Sequence, residues 1–371
     1  MYSDNIEKFS LNLPKNPRET KVIVAMSGGV DSSTVAALLV ELGYNVVGVT
    51  LQLYDHGLAI AKPGACCAGQ DIYDAKNVSG KLGIPHYVLN YENRFKASVI
   101  DDFADSYIRG ETPLPCVRCN QSVKFTDLIE VSKKLKADAL VTGHYVRRIQ
   151  GIDRTELHSA VDPKKDQSYF LFATTQNQLD YLHFPLGNIS KEETRYHAKR
   201  LGIEIADKKD SQDICFVPNG RYADFVAKIR PNVNTEGKIM HVDGFEMGQH
   251  SGIINYTIGQ RKGLGISYTE PLYVIKIDPK TNTVFVGPES ALEKHEFIIN
   301  DVNLLGDISE DQEFLVKVRS THDGVYAKIK KHKDVNKMLI HMCQSHKAIT
   351  PGQACVIYDN TRVMGGGWIC S

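Results

Sequence analysis

Apolar runs and polar breaks alternate in a regular order along the first two hundred residues. Lys21 to Met26 (KVIVAM) is short, apolar and β-branched, and a glycine turn follows, which predicts a buried parallel strand. Ser32 to Leu42 places Ala36, Leu39, Val40 and Gly43 at helical spacing on one face, with Gly43 as a C-terminal stop. Asn45 to Leu53 predicts a second strand, Asp71 to Leu82 a helix, and His86 to Asn90 a third strand. A helix from Phe125 to Lys136 then leads into a strand at Ala139 to Thr142. Strand and helix alternate in the way that builds a doubly wound parallel sheet, an α/β fold.

The pattern changes near Asp207. From Asn219 onward, glycines and short alternating segments dominate. Pro271 to Asp278 and Thr283 to Val286 read as a hairpin turning at Pro279-Lys280-Thr281-Asn282. Phe314 to Arg319, Val325 to Lys330 and Ala354 to Tyr358 continue the strand pattern, which suits a C-terminal β-barrel or sandwich. The expected division is a catalytic domain over 1–207, a small connecting domain over 208–270 and a β-barrel over 271–371. A chain of 371 residues is long enough for two or three such domains.

Composition adds bounds rather than a function. Hydrophobic residues make up 42% of the chain and charged residues 24%, ordinary for a soluble globular protein. No signal-peptide pattern opens the chain and no apolar run has membrane-spanning length, so the reading is cytoplasmic, with no membrane partner. The formal net charge is zero, so any nucleic-acid surface must be local, and nothing points to DNA. Eight cysteines in such a protein do not form a disulfide framework; reactive, metal-binding and buried thiols stay open.

Ser27-Gly28-Gly29-Val30-Asp31-Ser32-Ser33 lies between the first strand and first helix. Backbone N–H groups converge at such a place, the helix dipole adds positive charge, and glycines let the chain approach an anion. Asp31 is a candidate Mg²⁺ ligand. No Gly-Lys-Ser/Thr follows, so this is not the P-loop of kinases and GTPases. It resembles the PP-loop of the ATP pyrophosphatases, which implies ATP as substrate and attack on the α-phosphate. The cysteines then discriminate among PP-loop enzymes. Pro113-Leu114-Pro115-Cys116-Val117-Arg118-Cys119-Asn120 and Ser211-Gln212-Asp213-Ile214-Cys215-Phe216 resemble the two cysteine motifs of the tRNA-specific 2-thiouridylases. Lys165-Asp166-Gln167-Ser168-Tyr169-Phe170 and Tyr256-Thr257-Ile258-Gly259-Gln260-Arg261-Lys262-Gly263 match in the same order, so the resemblance covers nearly the whole chain.

That resemblance implies ATP-dependent 2-thiolation of the wobble uridine of tRNA, with sulfur delivered by a persulfide donor protein. It implies Cys119 as nucleophile and Cys215 as persulfide carrier. It places Ala25, Met26, the Ser27–Ser33 loop, Leu51 and Gly143 around ATP. It places Leu114, Pro115 and Cys116 at the target base, and Lys165, Asp166 and Gln167 on the tRNA. From the residues alone, Lys164 to Tyr169 also reads as a solvated loop with a cap at Asp166. Cys119 is expected just before a helix opening at Asn120, where the dipole favours its thiolate. Cys116, Cys119 and Cys215 together would also suffice to hold a [4Fe–4S] cluster with one iron open, the alternative thiolase chemistry. A PP-loop synthetase adenylating a small substrate is the other alternative, but leaves the paired thiols without work. Lys317 to Lys337 carries seven Lys or Arg against two Asp, which suits phosphate contact or an ordinary solvated face. Arg221-Tyr222 is a further candidate for facing tRNA.

Overall fold

The computed structural model describes residues 5–54, 67–210, 213–217, 220–347 and 349–370. Cys66, Ser211, Gln212 and Asn219 lie outside the described residues, as does the Cys67 side chain. The principal helices are α1 (Val30–Glu41), α2 (Cys67–Leu82), α3 (Asp101–Ile108), α4 (Thr126–Lys134), α5 (Lys191–Arg200) and α6 (Tyr222–Ile229). None is long and apolar enough to cross a membrane. The chain divides into two compact units. The first comprises Met1–Ser98, Arg118–Gln212 and Thr361–Val363; the second comprises Val99–Val117, Asp213–Asn360 and Met364–Ser371.

The first unit is built on β1 (Lys21–Ala25), β2 (Asn45–Gln52), β3 (His86–Asn90) and β4 (Ala139–Val141), with an antiparallel pair β5 (Val146–Gln150) and β6 (Thr155–Ser159), and then β7 (Leu182–His183). The main sheet runs β3-β2-β1-β4-β7 and every pairing in it is parallel. This is the doubly wound sheet expected from the alternating pattern. Val22 and Val24 of β1, Val46 of β2, Ala139 and Val141 of β4 and the apolar face of α1 form one continuous core. Burying those side chains is the main favourable term that holds the helices on the sheet. β3 ends the sheet and leaves Tyr87 and Val88 exposed, so it is an edge strand rather than a buried one.

Strand order reverses between β1 and β4. In an open α/β sheet the crevice beyond the carboxyl ends of the strands at such a switch point is where ligands bind. The Ser27–Ser33 loop follows β1 and Gly143 follows β4, so both candidates stand at that point.

The second unit holds two β structures. β8 (Gly237–His241), β9 (Glu246–His250), β10 (Tyr273–Asp278) and β11 (Thr283–Gly287) form a four-stranded sheet in the order β10-β11-β8-β9. The hairpin expected to open the C-terminal barrel at residue 271 therefore joins the central sheet, because β11 pairs in parallel with β8. Its core is Ile239, Val274, Ile277, Val284 and Val286. The barrel proper begins later. Its strands are β12 (Lys294–Leu304), β13 (Glu313–Lys317), β14 (Val325–Lys331), β15 (Met338–His346), β16 (Ala354–Asp359) and β17 (Arg362–Ile369). They run β12-β15-β14-β13-β16-β17, and β12 pairs back onto β17 to close the ring. Closure removes the exposed edges that an open sheet would leave.

Candidate functional site

The phosphate loop turns sharply out of β1. Gly28 has φ +72, a left-handed conformation that glycine adopts without steric penalty, and a Cβ there would collide with the carbonyl of Asp71 on α2. Met26 is buried, and its amide donates to the Val49 carbonyl at 2.8 Å while its carbonyl accepts from Thr50 Oγ1 at 2.8 Å. That fixes the exit of β1 beside β2. The Ser27 amide donates to Ser32 Oγ at 3.1 Å, which folds the loop back over the start of α1. Gly29 is the N-cap of α1 and no side chain caps the helix there. The N–H groups opening a helix lack intrahelical acceptors, so this end of α1 can take an anion. Ser33 is fully buried and its hydroxyl has no hydrogen-bond partner among the described residues. A buried, unsatisfied donor in this position fits a phosphate oxygen.

Gly143 lies against the same turn. A Cβ at 143 would sit 2.8 Å from the Ser32 nitrogen and 3.1 Å from the Asp31 Cβ. Only a glycine lets the end of β4 come so close to the start of α1. Leu51 is the second-last residue of β2 and is half-buried, and Ala25 closes β1.

Lys191, Asp210 and Lys208, which stand in none of the motifs above, supply much of the electrostatics of this corner. Lys191, the first residue of α5, is buried; its Nζ lies 2.6 Å and 2.8 Å from the two carboxylate oxygens of Asp31 and 2.8 Å from Asp210 Oδ1. Lys165 Nζ also reaches Asp210, at 2.8 Å. Burial alone would raise the Asp210 pKa, but hydrogen bonds from Lys165 and Lys191 outweigh it and hold the carboxyl below its ordinary value. The Tyr145 hydroxyl lies 2.9 Å from Asp31 Oδ1 and 2.8 Å from Thr194 Oγ1. Burial, then the charge of Asp31, push its pKa far up, so the phenol stays a donor. On the other flank, Lys208 Nζ donates to the Gly28 carbonyl at 3.0 Å, Asp71 at 2.7 Å and Asp74 at 2.6 Å. Its burial favours the neutral amine, but the two aspartates overcome that and raise its pKa.

Asp31 is thus an ion-pair partner of Lys191 and not a ready-made metal ligand. Among the described residues no group of three His, Cys, Asp or Glu could hold a metal ion. The donor set fits Mg²⁺ only as an ion carried in by a triphosphate, with Asp31 as its protein ligand.

Lys165, Asp166 and Gln167 are tied into the first unit. Asp166 accepts from the Ala160 and Ser168 amides and from Ser168 Oγ, so it organises the turn before the short helix Ser168–Leu171. Gln167 exchanges hydrogen bonds with Tyr145, its Oε1 accepting from the Tyr145 amide at 2.9 Å and its own amide donating to the Tyr145 carbonyl at 3.0 Å. Gln167 therefore braces the residue that bonds Asp31.

The cysteines differ in setting. Helix opens at Pro115 and not at Asn120: Pro115–Cys119 is α-helical, Asn120–Phe125 is π-helical, and α4 follows. The dipole at the helix start therefore acts on Cys116 rather than Cys119. Cys116 is exposed and Cys119 is buried. Asn120, next to Cys119, is buried and its Oδ1 has no hydrogen-bond partner among the described residues. Cys215 belongs to the second unit and is exposed. Burial raises the thiol pKa of Cys343, Cys355 and Cys370, which leaves these three as weak nucleophiles. In the basic stretch, Lys328, Lys330 and Lys331 of β14 are exposed, alternating with the buried Ala327 and Ile329.

A glycine loop at the switch point of a parallel sheet, leading into an uncapped helix backed by a buried lysine, defines a nucleotide-binding protein of the HUP class. Family models match over residues 20–219, described as the tRNA methyl transferase HUP domain, 223–288, its PRC-barrel domain, and 294–369, the aminomethyltransferase beta-barrel domain. The chain is 65% identical over 357 residues to the tRNA-specific 2-thiouridylase MnmA of Rickettsia bellii, covering 95% of this chain and 97% of that one. It is 64% identical over 355 residues to the MnmA of Rickettsia conorii, covering 95% and 96%. The chain belongs to the tRNA-specific 2-thiouridylase family. Among solved structures it is similar to a 4-thiouridine synthetase–RNA complex with bound ATP, at 17% identity and TM-score 0.37, covering 54% of this chain and 46% of that one.

Proposed function

We propose that this chain is the ATP-dependent sulfurtransferase that thiolates C2 of the wobble uridine of tRNA, acting in the cytoplasm with a persulfide protein as sulfur donor. The observation that carries the reading is the uncapped start of α1 at the switch point, faced by Lys191 and Asp31, in a chain of this family that also keeps Cys119 and Cys215.

ATP lies with its phosphates on the Ser27–Ser33 loop and Ala25, Met26, Leu51 and Gly143 around the nucleotide. The triphosphate competes with Asp31 and Asp210 for Lys191, which leaves Asp31 to ligate the accompanying Mg²⁺. The uridine leaves its stack, guided by Leu114, Pro115 and Cys116, because its C2 is unreachable inside one. Lys165 contacts the tRNA backbone, while Asp166 and Gln167 hold that segment in place. The uridine O2 attacks the α-phosphorus and pyrophosphate departs. The terminal sulfur of a Cys215 persulfide then attacks C2, and AMP leaves with the former O2. The Cys119 thiolate attacks the Sγ of Cys215, releasing sulfur to the base and forming a Cys119–Cys215 disulfide. An external thiol reduces that disulfide for the next cycle.

The test is nucleoside mass spectrometry of tRNA incubated with protein, ATP, Mg²⁺ and a sulfide or persulfide source. Cys119→Ser and Cys215→Ser should each lower thiouridine at least ~10³-fold while pyrophosphate release persists. Cys343→Ser should match the wild type. Normal thiouridine from Cys215→Ser would sink the reading.

A further inference from the structure

The residues around Cys215 form a small, specific device within the second unit. Residues 213–217 make a tight turn: the Val217 amide donates to the Ile214 carbonyl at 3.0 Å, and the Ile214 amide donates to Asp213 Oδ1 at 2.9 Å. Cys215 is exposed at its crest, whereas Phe216 and Val217 are buried. Phe216 packs edge-on against Phe103 of α3, with ring centroids 5.3 Å apart, and tilts against Phe225 of α6 at 5.4 Å. The two helices are locked together by Arg230, which bonds Asp101 at 2.9 Å and Asp105 at 2.8 Å.

Tyr222 completes the arrangement. Its ring stacks on Tyr107 at 6.5 Å, and its hydroxyl donates to Asp213 Oδ1 at 2.8 Å. The same carboxylate oxygen accepts from Ile214, so one atom joins α6 to the first peptide of the turn. Tyr222 therefore faces the cysteine turn, and its neighbour Arg221 pairs with Asp224.

We propose that Tyr222 is a positioning residue for sulfur transfer: with Asp213 it fixes the turn that presents the Cys215 sulfur, on a base formed by Phe216. This rests on Cys215 being the sulfur carrier. The physical case is entropic. A thiol on an unanchored turn must be ordered at each transfer, and an aromatic base with one directional bond pre-orders it. The phenol suits the task, because burial and the Asp213 hydrogen bond push its pKa up to about 12 and it stays a donor at neutral pH.

The experiment is a double-mutant cycle on the full chain. Tyr222→Phe keeps the ring and removes the donor; Asp213→Ala removes the acceptor; Asp213→Asn keeps an acceptor oxygen. Tyr222→Phe and Asp213→Ala should each lower the thiolation kcat roughly 10-fold, with the KM for tRNA and the pyrophosphate release rate unchanged. The double variant should be no slower than either single, and Asp213→Asn should stay within about twofold of wild type. A readout independent of catalysis is hydrogen exchange of the peptide spanning 213–217. Both loss variants should speed it at least ~5-fold. Unchanged exchange and rate in Tyr222→Phe overturns the proposal, as do additive losses or a parallel loss of pyrophosphate release. Faster exchange with thiolation unaffected, together with active Cys215→Ser, would instead condemn the sulfur-carrier reading itself.

Discussion

The phosphate corner and the Cys215 turn solve opposite problems with opposite materials. At the phosphate corner, Asp31, Lys191, Asp210, Lys165 and Tyr145 form a dense, partly buried polar network, and glycines 28 and 143 let backbone pack on backbone. At the cysteine turn a side-chain hydrogen bond runs from Tyr222 to Asp213, and a base of aromatic rings lies beneath an exposed thiol. A site that binds a multiply charged anion benefits from charges fixed before the ligand arrives, because reorganisation then costs nothing during the reaction. A sulfur carrier must accept cargo from one partner and deliver it to another. Its reactive atom has to be exposed, so rigidity must come from below.

That contrast can be broken from the phosphate side first. Gly28→Ala should have the largest effect. The added Cβ meets the Asp71 carbonyl and the residue must hold φ +72, so the loop has to move. Pyrophosphate release should fall at least ~10³-fold, with no change in exchange of the 213–217 peptide. If release survives, the loop is not the phosphate site.

Lys191→Met comes next. It removes the only cation bonded to both Asp31 and Asp210 among the described contacts, while keeping a similar apolar stem. Adenylation should fall about 100-fold. Stability should drop by about 2–3 kcal/mol, since two partly buried carboxylates lose a partner. Calorimetry and single-turnover AMP formation read the two effects separately. Wild-type adenylation would show that Lys191 only holds the fold.

The smallest effect at neutral pH is acid sensitivity of the first unit. Burial, then Lys124, lowers His144 to about 3; burial, then Arg148, lowers His183 to about 3. Both are neutral in the folded state. Below pH 6.5 the unfolded chain binds protons that the folded chain does not, so stability falls on acidification between about 6.5 and 3. The slope approaches about 1.4 kcal/mol per pH unit for each histidine, and nothing changes between pH 8 and 7. Hydrogen exchange at β4 and β7 as a function of pH checks this. A flat response down to pH 5 would contradict the neutral assignment.

Contiguous patterns settled a good part of this protein by themselves. The run KVIVAM followed by SGGVDSS determined a buried strand, an anion-binding turn and a helix, because each rests on periodicity and on φ freedom within a few residues. Strand β3 and the bounds of β2 were legible for the same reason. The two cysteine segments and their neighbours were legible as motifs, and they fixed the family. Tertiary structure decided what depends on residues far apart in the chain. Lys191 lies 160 positions from Asp31, on a helix whose sequence reads only as amphipathic and charged. The hairpin beginning near 271 alternates the same way whether it joins the barrel or the central sheet, and only the pairing of β11 with β8 chooses. No local pattern signals the hydrogen bond from the Tyr222 hydroxyl to Asp213, nine positions away. Periodicity records which face of an element is buried, but which element buries it, and which charge meets which, is set by the packing of the whole chain.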